Sequence, residues 1–178
     1  MKRLFSILIV LVFSSLFLVG CSGIITPSTE EIPIDLIKEY TKYDVVTRWA
    51  DGEIVSVYDK TNYERMQEIL DKINVAIDGP VVFQLSDESN SKIKLIFKEQ
   101  DDFLSCSQIE SNGAHELTNI LIEINPFIDG DQEVYLQYQQ AFLISLSINL
   151  SQSYQGITEE IKTVLFWLYR LEPGYLLI

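Results

Sequence analysis

The chain has 178 residues, of which 13 are basic and 26 are acidic, so its formal net charge at neutral pH is −13. A surface of this charge repels the phosphates of nucleic acids and of anionic lipid headgroups, and we therefore expect no nucleic-acid partner. With two cysteines and one histidine, the chain also lacks the residues for a zinc site built from paired Cys-x-x-Cys motifs.

The N-terminal segment has the pattern of a signal peptide. Two basic residues, Lys2 and Arg3, precede an uncharged apolar run over residues 4–19, which is short for a membrane span of ~20 residues. The run ends in the sequence Leu-Val-Gly-Cys, which resembles the lipobox of bacterial lipoproteins. The resemblance implies that signal peptidase cuts between Gly20 and Cys21 and that the Cys21 thiol carries a diacylglyceryl group. The alternatives are an uncleaved anchor and an ordinary secretory signal peptide, and both also export the chain.

The lipobox sets the expected organisation of the chain. Residues 1–20 are the signal peptide, residues 21–33 are a small, polar and acidic lipidated tether, and residues 34–178 are one domain. Cleavage removes two basic residues and leaves 11 basic and 26 acidic ones, a formal charge of −15. We expect an extracytoplasmic protein held on the bacterial cell membrane, or on the outer membrane of a cell that has one, through lipid on Cys21. Cys106 is then the remaining thiol, either a buried inert side chain or a reactive one.

The pattern of apolar residues after the tether predicts an α+β fold, in which helices pack on a small mixed sheet. The predicted order from residue 53 is strand, helix, three to four strands, helix, helix. Strands are predicted at 53–58, 81–85, 92–97 and 119–125, with a short edge strand around 103–109. Helices are predicted at 34–43, 64–76, 131–150 and 159–171.

Two helix starts carry capping signals. Thr61 stands three residues before Glu64, the spacing of a capping box, and Thr158 is a predicted N-cap of the last helix. The helix predicted at 131–150 is apolar on nearly every face in its second half, a pattern that indicates burial.

Few residues have the chemistry of a catalytic or metal site. Asp129, Asp131 and Glu133 alternate like the first ligands of a calcium loop, but the glycine and the final glutamate of such a loop are misplaced, so we interpret them as a turn and a helix start. His115 precedes Glu116, yet Asn119 stands where a metallopeptidase motif needs its second histidine. A hydrolase that uses His115 with a nearby serine or with Glu116 remains an alternative.

The order of elements resembles the minimal domain of the zincin metallopeptidases, in which a strand, a helix and further strands lead to a helix that carries His-Glu-x-x-His, followed by a final helix. Arg48-Trp49 before Ile54 is similar to the opening strand of that domain. The stretch 165–169 and the sequence Glu-Pro-Gly at 172–174 resemble the ending of a bacterial family of zincin-related proteins of unknown function.

The resemblance places Phe142, Leu143 and Leu146 at the positions of the histidine, glutamate and histidine of the zinc motif. Phenyl and isobutyl groups have no lone pair for zinc, and leucine cannot act as a general base. His115, the one histidine, lies upstream, so a third ligand is also missing. The resemblance therefore implies a degenerate zincin-like domain without a metal or other cofactor.

These patterns predict a lipoprotein that serves as a non-catalytic binding or accessory module of the cell envelope. A groove beside the helix at 131–150 would receive an extended peptide, or an envelope protein, along a sheet edge. A hydrolase and a purely structural envelope protein are the alternatives.

Overall fold

The computed structural model describes residues 31–99, 105–128, 130–150 and 154–178, with the side chain of Cys106 excepted. The predictions for the signal peptide, Cys21 and most of the tether, for Asp129 and for the Cys106 thiol therefore lie outside the described residues. Residues Pro33–Ile178 form a compact unit of their own. Among the residues that the structure describes, no helix combines the length and the apolar character that a membrane span requires.

The described residues form four helices and five strands, in the α+β class that the sequence predicts. From β1 onward their order is strand, helix, four strands, helix, helix, as predicted, and a short helix precedes β1. The elements are α1 (Ile34–Tyr40), β1 (Ile54–Asp59), α2 (Met66–Ile77), β2 (Val82–Leu85), β3 (Ile93–Phe97), β4 (Ser105–Ser111), β5 (Leu117–Ile124), α3 (Asp131–Ser145) and α4 (Glu159–Leu168).

The strands form one mixed sheet in the order β2-β1-β3-β5-β4. All neighbouring pairs are parallel except β4 with β5, so the antiparallel strand lies at one edge. Side chains alternate between the two faces of a strand, and one face carries the core under α2 and α3. Its buried residues are Val55, Val57, Phe83, Ile93, Leu95, Ile120, Ile122 and Ile124. On the other face Ile54 and Val82 are exposed.

The predicted capping box at Thr61 and Glu64 is wrong. The carboxylate of Asp59, at the end of β1, accepts hydrogen bonds from the backbone N–H groups of Thr61 and Tyr63, each at 2.9 Å. Asn62 between them has a φ of 55°, which a helix does not allow. The helix therefore begins later, at Met66, without a side-chain cap.

The ends of the last two helices also differ from the prediction. Helix α3 is buried as predicted but ends at Ser145, because Ser147 adopts a φ of 68° and Ile148 pairs with Thr41. Helix α4 begins as predicted at the N-cap Thr158, whose hydroxyl accepts the N–H of Ile161 at 3.3 Å.

Candidate functional site

The three positions that the resemblance places at the zinc motif lie in closed core. Phe142, Leu143 and Leu146 each have 0% of their surface exposed. The N–H of Leu146 donates to the carbonyl of Phe142 at 3.2 Å, so these two residues are one helical turn apart, as the histidines of a zinc motif are. The ring of Phe142 packs edge-on against Phe83 of β2, with 5.3 Å between the ring centroids. No open cleft reaches these positions among the described residues.

His115 lies in the loop between β4 and β5. It has a φ of 59° and an exposed side chain, and its backbone carbonyl accepts the N–H of Arg48 at 3.3 Å. The carboxylate of Glu116 accepts the side-chain amide of Asn112 at 2.8 Å. Within the described part of the chain, the imidazole has no hydrogen bond to a serine hydroxyl or a carboxylate, and no three His, Cys, Asp or Glu side chains cluster as metal ligands do.

An open groove lies beside α3, between this helix and α2. Its walls are the second half of α2, the first half of α3 and residues 155–162, and its volume is about 590 Å³. Val75 on the α2 wall is 78% exposed, and Leu136 and Ile157 add apolar surface. The groove therefore lies beside the helix that begins at Asp131, between this helix and α2, and the binding of a peptide along a sheet edge stays a prediction.

A polar network borders this groove. The hydroxyl of Tyr135 accepts two hydrogen bonds, one from the ammonium of Lys72 at 2.7 Å and one from the side-chain amide of Gln139 at 3.4 Å. Tyr154 donates to the Gln139 carbonyl oxygen at 2.7 Å, and burial raises the pKa of Tyr154. The hydrogen bond to Tyr135, followed by one to Glu68, raises the pKa of Lys72. This wall is thus fixed in position and carries a charged ammonium at neutral pH.

Tyrosine and asparagine side chains line a smaller crevice at the carboxyl ends of β3 and β5. Its volume is about 380 Å³, and Phe97, Asn125 and Tyr138 are among its walls. The ring of Tyr138 stacks on Tyr63 with 4.2 Å between the centroids. The walls carry no His or Cys and one carboxylate, Glu64, so the crevice has neither a nucleophile–base pair nor a metal-ligand set.

The edge of β4 is the second surface with binding potential. Among the described residues, β4 pairs only with β5, and its seven residues contain neither lysine nor proline, which often protect exposed edges. The opposite edge strand, β2, has four residues and follows Pro80. An added strand would therefore find more open backbone at β4.

The sequence predicted a groove beside the helix at 131–150 but not its other walls, because these come from segments far apart in the chain. The exposed apolar Val75 within the amphipathic α2 is the one local signal for it. The chain matches no protein-family model, no curated protein and no solved structure.

Proposed function

We propose that this chain is an extracytoplasmic lipoprotein, anchored through Cys21, whose zincin-like domain has no catalytic role and binds a peptide or protein of the cell envelope. The lipobox at residues 18–21 supports the anchor. The observed order of strand, helix, four strands, helix, helix supports the zincin-like assignment, since it is the order that the resemblance implies.

One observation carries the non-catalytic part of the proposal: Phe142 and Leu146 fill the motif position and are fully buried. Their side chains offer zinc no donor atom. They also leave no room for the metal-bound water that a zincin activates, because the protein interior is close-packed.

The groove between α2, α3 and residues 155–162 is the binding site in this proposal. Its volume of about 590 Å³ lies within the range of ~300–1,000 Å³ that is usual for ligand sites. Its exposed Val75 and the apolar side chains of Leu136 and Ile157 suit the apolar side chains of a peptide segment. The cationic ends of Lys72 and Lys162 at its rim suit acidic or backbone carbonyl groups of that segment.

The anchor is tested on the protein purified from the membranes of cells that produce it. Mass spectrometry of the N-terminal peptide should show Cys21 as the first residue, with a diacylglyceryl group. Cys21→Ala should prevent both the lipid and the cleavage. An unmodified Cys21 inside an intact N-terminus would contradict this part of the proposal.

The loss of catalysis is tested by metal analysis and by hydrolysis of peptide and ester substrates. We expect less than 0.1 zinc per chain, on the order of background binding to exposed carboxylates, and no hydrolysis. One zinc per chain, or a peptidase or esterase activity that Glu64→Gln leaves intact and His115→Ala abolishes, would contradict the proposal.

Site-specific photo-crosslinking in living cells locates the binding surface. A benzoylphenylalanine residue replaces Val75 in the groove, Gln108 on the edge strand β4, or Ile54 on the open sheet face, which is 65% exposed and serves as the matched control. We expect one discrete adduct from position 75 and none from position 54. An adduct from position 108 alone would move the site to the sheet edge, and equal adducts at all three positions would contradict a specific site.

A charge substitution provides the second test. Val75→Glu places a carboxylate in the apolar wall of the groove, whereas Ile54→Glu changes an equally exposed apolar side chain on the other face. We expect Val75→Glu to reduce binding of the partner that crosslinks to position 75 at least tenfold, because a charge buried against apolar surface is costly. Ile54→Glu should retain the partner.

A further inference from the structure

A second apolar surface lies far along the chain from the groove. It consists of Tyr43, Tyr175, Leu176 and Ile178, whose exposed fractions are 46%, 40%, 59% and 91%. We call these four residues the terminal patch. Three of them fall within four consecutive positions near the end of the sequence, and the fourth follows α1 closely.

Backbone pairing holds the terminal patch in place. Val45 and Leu176 form an antiparallel bridge, the N–H of Val46 donates to the carbonyl of Tyr175 at 2.9 Å, and the N–H of Leu177 donates to the carbonyl of Asp44 at 2.9 Å. Val46 and Leu177 are each 1% exposed and point into the core. Because successive side chains of an extended segment alternate, this anchoring turns Leu176 outward.

The charged residues near the terminal patch in the chain are mostly acidic. Lys38 and Lys42 lie close to it in the sequence, and so do Asp35, Glu39, Asp44 and Glu172. The ammonium of Lys42 lies 5.5 Å from the centroid of the Tyr43 ring. Tyrosines, aliphatic side chains and long lysines together are the composition of proteins at the interface between a membrane and water.

We propose that the terminal patch rests on the lipid bilayer and inserts its apolar side chains among the lipid headgroups. The inference depends on the proposed function for the anchor that holds the domain near the bilayer. Pro33 is twelve residues after Cys21, a chain length that spans at most ~40 Å. The seven residues of α1 then add ~10 Å. The terminal patch is therefore always within reach of the bilayer, and tethering makes even a weak contact effective.

A bilayer suits this surface better than a second copy of the chain does. Four partly exposed side chains offer on the order of 400 Å², about half of the ~800 Å² that each partner of a stable interface contributes. The local charge also matters, since the acidic side chains near the terminal patch repel anionic lipids as the acidic surface elsewhere does. The contact is therefore apolar, and neutral phosphatidylcholine should support it.

The test uses the chain from residue 22, which retains the whole compact unit and omits the Cys21 thiol, in a Cys106→Ser background, so that the introduced cysteine is the one thiol to label. A histidine tag at its N-terminus replaces the natural lipid and attaches the protein to phosphatidylcholine vesicles that contain a nickel-chelating lipid. The polarity-sensitive fluorophore nitrobenzoxadiazole is attached at Ile178→Cys or at Val75→Cys. Val75 is the matched control, since it is 78% exposed and lies on α2.

We expect the fluorescence of the probe at position 178 to rise at least twofold on the vesicles and to be quenched by a lipid that carries a quencher, while the probe at position 75 stays unchanged. Leu176→Ser should at least halve the rise at position 178. An unchanged probe at position 178, or an equal rise at both positions, would overturn the inference. A rise without vesicles that grows with protein concentration would also overturn it and would indicate contact between copies.

Failure of this test is separable from failure of the anchor, because the tag provides the attachment whether or not Cys21 is lipidated in cells. If Cys21 carries no lipid in cells but the probe at position 178 responds to the vesicles, the anchor is wrong and the terminal patch remains the bilayer contact. If Cys21 is lipidated but the probe does not respond, the anchor remains and the terminal patch does not contact the bilayer.

Discussion

The ring of Phe142 stands at 88° to the ring of Phe83, with 5.3 Å between their centroids, an edge-to-face contact between α3 and the edge strand β2. Both residues are almost completely buried. The contact joins Phe142, which the resemblance places at a metal-ligand position, to the sheet, and it makes Phe142 a part of the hydrophobic core.

Phe142→Ala should therefore reduce the free energy of unfolding by about 3–5 kcal/mol, through lost apolar burial and the cavity that remains. Urea unfolding followed by circular dichroism measures this change. The control is Phe127→Ala, at a phenylalanine that is 72% exposed, which should change stability by less than about 0.5 kcal/mol. Equal effects of the two substitutions would show that position 142 is not closed core.

The sequence predicted the class of the fold and the order of its elements, because the apolar residues repeat with clear helical or strand periods. It also predicted the burial of α3 and the N-cap Thr158, for which the signals are local. The capping box at Thr61 was wrong because the Asp59 carboxylate, two residues earlier, accepts the Thr61 N–H that the Glu64 side chain would have accepted. The walls of the groove escaped prediction because only the fold brings Val75, Leu136 and Ile157 together.

Restoring the two histidines should not restore a metal site. In the double variant Phe142→His and Leu146→His, two imidazoles enter a closed part of the core, where Phe142 and Leu146 are fully buried and water has no access. Burying two polar rings without partners should destabilise the protein by several kcal/mol. Thermal unfolding with and without zinc checks this, with Phe142→Leu as a control that keeps the site apolar. A large zinc-dependent rise in the melting temperature would contradict it.

Arg48 connects the start of the domain to its end. Its side chain is 1% exposed and donates to the carbonyls of Leu171 at 2.7 Å and Trp49 at 2.8 Å, and to the carboxylate of Asp51 at 2.6 Å. Arg48→Lys keeps the charge but removes the planar fork of donors, so at least one buried carbonyl loses its partner. We expect a loss of about 2–3 kcal/mol of unfolding free energy.

Hydrogen exchange gives the local measurement for Arg48→Lys. The amides of Val46 and Leu177, which bond across the two terminal segments, should exchange faster than those of the sheet. The control is Lys162→Arg, at an ammonium that pairs with Glu159 and is 48% exposed; it should be nearly neutral. Unchanged protection of Leu177 in Arg48→Lys would contradict this role.

Glu68 should contribute to the loss of stability at acidic pH. Hydrogen bonds from Arg65, and then from Lys72, lower the pKa of Glu68 from 4.5 to about 2. The carboxylate stabilises the fold fully above pH 4.5, and this contribution is lost as the pH falls from 4.5 towards 2, because the unfolded chain takes up the proton first. The pair is exposed, so salt should weaken the effect.

Glu68→Gln should therefore flatten the dependence of the unfolding free energy on pH between 4.5 and 2. Urea unfolding at a series of pH values measures it. Glu64→Gln, at a nearby exposed carboxylate, is the matched control and should leave the slope of the wild-type protein. A slope in Glu68→Gln as steep as that of the wild-type protein would assign the acid response to other carboxylates.

Tyr138 should contribute to the loss of stability at alkaline pH. Its hydroxyl donates to Thr61 Oγ1 at 2.7 Å, and burial raises the pKa of Tyr138 from 10.0 to about 12. The unfolded chain then loses this proton first, so the contribution of Tyr138 is complete below pH 10 and is lost as the pH rises to about 12. Tyr138→Phe should make stability fall less steeply over this interval, measured by urea unfolding alongside the ultraviolet absorbance of tyrosinate. The control is Tyr43→Phe, at an exposed tyrosine. If the unfolding free energy of Tyr138→Phe fell at least as steeply with pH as that of this control, the prediction would be contradicted. That result would mean that the buried ring does not resist ionisation.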